Sequence, residues 1–140
     1  MSRTAGGQRR RRAVSTGLVA GVAGGLLSFV YHQASLLPSG VESWYILGLL
    51  TLVGAFVSPL VGHLGQSALS LLLAHVVGLG VHAVAWLSPV VYFDAPAYIL
   101  LHIAITRRLG DAVVAWIFVF PLAVLFGYMT YVLVTGYFRP

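Results

Sequence analysis

The chain has 140 residues, of which 59% are hydrophobic and only 8% charged, and its formal net charge is +5. Soluble domains carry about 25% charged residues, so this composition cannot build a water-facing surface. The absence of cysteine excludes disulfides, thiolate metal sites and cysteine nucleophiles.

Helices and closed barrels are the structures that satisfy every backbone polar group in lipid, and the apolar runs lack the alternation of barrel strands. The expected fold class is all-α, a polytopic transmembrane helical bundle. Its positive charge is concentrated at Arg9, Arg10, Arg11 and Arg12, directly before an apolar run. That placement is a topology signal favouring anionic headgroups, not a nucleic-acid footprint. Every basic residue is Arg, and neither Lys nor Asn occurs. This bias reads as a high-GC prokaryotic genome, with the plasma membrane as the expected location.

In chain order, residues 1–12 read as a basic cytoplasmic tail, disordered or lying on the membrane surface, followed by one transmembrane domain over residues 13–140. The first predicted helix, 13–37, is too long for a signal-peptide core and has no clear cleavage site; it ends at the turn signal Pro38-Ser39-Gly40. The second, 44–61, opens on Trp44-Tyr45, a pair suited to headgroup level. After a short link at Gly62-His63-Leu64-Gly65-Gln66 comes the third, 67–87, so the first three helices should alternate in direction.

Asp94-Ala95-Pro96 reads as a helix start and Gly110 as the matching stop, giving a short fourth helix, 95–109. At roughly 22 Å it falls short of the ~30 Å hydrocarbon core. The fifth, 112–137, is roughly 39 Å long, with Asp111 as N-cap and a kink expected at Pro121. Five crossings place Arg107 and Arg108 on the same side as Arg9 to Arg12, as the positive-inside rule requires; the alternative is four crossings with the short helix lying on the outer surface.

Small residues recur at four-residue spacing in Gly17, Gly21 and Gly25, in Gly54, Ser58 and Gly62, and in Ser70, Ala74 and Gly78. Such rows let helices approach closely in lipid, either within one chain or between copies. The histidines are the chemistry-bearing candidates. His82 and His102 fall at matching depth in the five-helix reading, close enough for axial ligation of a haem or for a proton path, with His32 and Asp94 near the same level. The plainer role for them is polar glue between helices. His63 reads as solvated in its loop, and Trp86 as one of the aromatic anchors near span ends.

No phosphate loop, nucleophile elbow or carboxylate pair occurs, so enzyme chemistry is not expected. The chain reads as a structural or accessory membrane subunit with a lipid bilayer around it, packing against other membrane subunits or copies of itself. A His-based redox or transport component is the alternative.

Overall fold

The computed structural model describes residues 3–33, 37–61, 64–92 and 98–137. They form four helices, α1 (Arg3–His32), α2 (Ser43–Val61), α3 (Leu64–Tyr92) and α4 (Tyr98–Tyr137), with no strand among the described residues. Each contains a segment long and apolar enough to cross a membrane, the segments being Gly6–His32, Ser43–Val61, Gly65–Ser88 and Ile105–Gly136. Large apolar side chains cover their outer faces, Val19, Phe56, Leu72, Phe118 and Phe126 each being more than 60% exposed. That surface is suited to hydrocarbon and not to water.

Four helices stand where the sequence predicts five. The expected break at Gly110 is absent, and the fourth and fifth predicted helices are one continuous α4. A glycine inside a helix costs about 1 kcal/mol relative to alanine and ends the helix only when the chain leaves through a left-handed residue. Among the described residues only Gly40 takes a positive φ, at 90°. It sits in a turn closed by the Val41 N–H donating to the Pro38 carbonyl at 3.0 Å. Asp111 therefore lies inside α4 instead of capping a new helix, and Pro121 is accommodated within it.

Other boundaries move as well. The basic segment is helical from Arg3, since arginine is a good helix former and α1 simply extends outward through it. At its other end α1 stops at His32, short of Leu37, with the Gln33 N–H reaching back to Phe29 and Val30 carbonyls at 3.1 Å. Meanwhile α3 runs past Ser88 to Tyr92.

The tightest interface joins α1 to α3. A Cβ placed on Gly17 would meet the Ser70 carbonyl at 2.7 Å, one on Gly21 the Ala74 carbonyl at 2.9 Å, and one on Gly25 the Gly78 carbonyl at 2.6 Å. Residue numbers rise together along the two helices, so they run parallel. The hydroxyl of Ser70 donates across this interface to the Ala13 carbonyl at 2.7 Å. Backbone contact of this kind replaces the hydrophobic effect, which gives helices in lipid no reason to associate.

On the other side, α2 packs on α4. A side chain at Gly54 would strike the Val124 backbone, and one at Gly127 the Thr51 carbonyl. Aromatic rings of α4 use glycines as seats: Phe120 lies over Gly24 of α1, and Trp116 over Gly78 of α3. The core built this way contains Ala13, Leu50, Val57, Ala74, Trp116, Phe120 and Val124. Ser58 belongs to α2, but its side chain lies outside the described residues, as does Gly62.

Candidate functional site

Trp116 and Phe120, one helical turn apart on α4, are both buried and stack with ring centroids 4.0 Å apart and an interplanar angle of 13°. Both α3 histidines lie against this stack. The ring of His75 lies 5.6 Å from Trp116 and 5.9 Å from Phe120, while that of His82 lies 5.6 Å from Trp116. Seven residues span two helical turns, which is why one α3 face presents both.

Around His82 the cluster continues toward the C-terminal ends of α1 and α3. Phe29, His32 and Trp86 approach it with centroids at 6.5, 5.9 and 6.1 Å, and Phe29 also meets Trp86 edge-on at 6.2 Å. Trp86 is thus a packed member of this cluster and not the headgroup anchor that its position near a span end suggests. Trp44 and Tyr45 are exposed and stacked on each other at 3.8 Å.

Hydrogen bonds fix which nitrogen of each ring carries a proton. A carbonyl can only accept, so His32 Nδ1 donates to the Ser28 carbonyl at 2.7 Å and His82 Nδ1 to the Gly25 carbonyl at 3.4 Å. Both rings are left with Nε2 as a lone-pair acceptor when neutral. His75 is the reverse case. The indole N–H of Trp116 donates to its Nδ1 at 3.2 Å, so the neutral ring carries its proton on Nε2.

Three buried polar atoms in this half of the bundle, Ser28 Oγ, His82 Nε2 and Trp86 Nε1, have no hydrogen-bond partner among the described residues. His82 is fully buried, and the backbone of Ala112 on α4 also lies against its ring. The partner that sequence depth matching gives to His82 is His102, whose side chain lies outside the described residues. Asp94 and His63 also lie outside them. Within the described set the histidine beside His82 is His32, which the sequence also places near its level, and no group of three or more His, Cys, Asp or Glu residues is placed to hold a metal ion.

At the edge of the cluster, an open cleft of about 440 Å³ is lined by His32, Trp86, Asp111, Val114, Phe118 and Val119. Asp111 thus stands at the same end of the bundle as the α1 terminus. Trp116, Phe29 and Asp111 were not legible as site residues from the sequence. The available signal was Trp116 itself, an aromatic with a polar handle that depth counting from the start of the 112–137 run hides near a span end.

A second concavity, about 510 Å³, lies between α1 and α2. Its floor includes the small residues Thr16, Ala20 and Ala23, and its rims the apolar Val19, Leu52, Phe56 and Leu60. No protein family, curated protein or solved structure matches this chain.

Proposed function

We propose that this chain is a structural or accessory subunit of a membrane assembly, and that the groove between α1 and α2 receives a transmembrane helix of a partner subunit. The observation that carries this reading is the chemistry of that groove. Its lining is almost wholly apolar, and Thr16, Ala20 and Ala23 form a floor of small residues. In lipid such a floor is what lets another helix backbone approach. From Ser15 to Leu27 it runs along roughly 18 Å of α1, enough for about three turns of a partner helix. The Gly17, Gly21 and Gly25 row is occupied by α3, so it is not the surface offered.

In this proposal the bundle spans the plasma membrane four times with both ends in the cytoplasm. In sequence, Arg3 precedes the first candidate span, Arg9, Arg10, Arg11 and Arg12 lie in its first turns and Arg139 follows the last span, against Arg107 and Arg108 in the first turn of that last span. The majority end faces the cytoplasm under the positive-inside rule.

A photo-crosslinking residue placed at Ala23 or Phe56 tests the groove in native membranes. Capture of another membrane protein from these positions, with none from the lipid-facing Leu72, is the expected result. Crosslinks to lipid alone from all three positions would overturn the proposal.

A further inference from the structure

The cleft at the α1, α3 and α4 junction differs in chemistry from the α1/α2 groove, and it does not depend on any partner subunit. Its charged lining residue is the Asp111 carboxylate. His32 adds an acceptor, because its Nδ1 proton is held by the Ser28 carbonyl and Nε2 is left with its lone pair. Trp86 and Phe118 supply aromatic faces, and Val114 and Val119 complete an apolar wall. Phe118 is 64% exposed and Val114 57% exposed, so the wall continues onto the outer surface of α4.

A carboxylate, a nitrogen acceptor and two aromatic faces together recognise a cation that carries N–H donors, since carboxylate and ring quadrupole both attract positive charge. The apolar wall leading from Asp111 along α4 fits a hydrocarbon tail, and a small number of polar groups set in an apolar concavity is the usual form of a ligand site. From this arrangement we infer that the cleft binds an amphiphile with a primary ammonium head and an apolar chain. The ammonium sits against Asp111 and His32 Nε2, with the chain along Val114 and Phe118.

Two sources share this chemistry, a free long-chain amine and the ethanolamine headgroup of a phospholipid. Arg107, one turn before Asp111 on α4 and outside the cleft lining, is the group that a lipid phosphate would meet and a free amine would not.

The test uses the full chain in phosphatidylcholine nanodiscs, with a radiolabelled long-chain primary alkylamine as probe and the matching alcohol as competitor. Saturable binding that the alcohol does not displace is expected. Asp111→Asn should weaken it on the order of ten-fold or more, and Asp111→Glu should retain it. Phe118→Leu, which keeps an apolar side chain at an exposed position, should weaken it by a smaller factor through loss of the aromatic face. Adding phosphatidylethanolamine to the nanodisc distinguishes the sources. Competition that Arg107→Ala relieves assigns the site to the lipid, and lack of competition assigns it to a free amine. Non-saturable uptake, equal displacement by the alcohol, or full binding by a folded Asp111→Asn variant would overturn the inference.

Discussion

The indole N–H of Trp116 donates to Nδ1 of His75 at 3.2 Å, joining α4 to α3 in the middle of the bundle. The same indole stacks on Phe120, rests over Gly78 and contacts the ring of His82. One side chain thus couples the polar and the apolar parts of the interface. Trp116→Phe keeps most of the stacking surface and loses the hydrogen bond, as does His75→Leu. Because each also changes packing, the informative quantity is their coupling in a double-mutant cycle. Thermal or denaturant unfolding in detergent should give a coupling of about 0.6 kcal/mol, the usual size for such a bond in lipid. A coupling of zero would show that the bond contributes nothing.

The glycines divide into two classes with opposite expected behaviour. A methyl group at Gly21 or Gly25 would press on the α3 backbone, while at Gly48 or Gly80 it would meet nothing within 4 Å. Gly21→Ala and Gly25→Ala should therefore lower the melting temperature by forcing α1 away from α3. Gly80→Ala should leave it unchanged or raise it, because alanine is favoured over glycine in a helix by up to about 1 kcal/mol. Equal behaviour of the two classes would show that α1 does not pack on α3 through this row in the membrane.

Topology gives an independent check. Four crossings return the chain to its starting side, so reporters fused before Arg3 and after Pro140 should report the same compartment, and a reporter inserted near Glu42 the opposite one. Termini reporting opposite compartments would require an odd number of spans and a break in α4.

The parts of this fold legible in the sequence are those set by solvent. Long apolar runs give α2 and α3 to within a few residues of the observed Ser43–Val61 and Leu64–Tyr92. What failed were the local punctuation signals around Gly110 and Asp111, which mark a helix boundary in water-exposed chain. In α4 both are exposed positions on a continuous helix, where nothing obliges the chain to turn. The site was less legible for a different reason. Counting residues along separate helices matches depth and so puts His32 near the level of His82, but which rings meet is set by which helix faces meet. The close approach of α1 to α3 makes His32 a ring neighbour of His82, and the unbroken α4 brings Trp116, which depth counting does not single out, against both α3 histidines.

That geometry makes the role of His82 testable. Its ring is fully buried, bonded to the Gly25 carbonyl and surrounded by Phe29, Trp86 and Trp116, an arrangement in which it ties α3 to α1. As a structural residue, His82→Ala should cost about 0.6 kcal/mol for the hydrogen bond, and on the order of 2 kcal/mol more for the cavity left behind. The absorption spectrum of the purified protein should then show aromatic bands alone, in the wild type and in His32→Ala, His82→Ala and His102→Ala alike. The competing role, axial ligation of a haem, predicts a Soret band in the wild type that His82→Ala abolishes. Which second substitution also abolishes it would name the other ligand, His32 by proximity in this structure or His102 by sequence depth. A Soret band surviving every one of these substitutions would place the haem elsewhere and leave the structural reading of His82 intact.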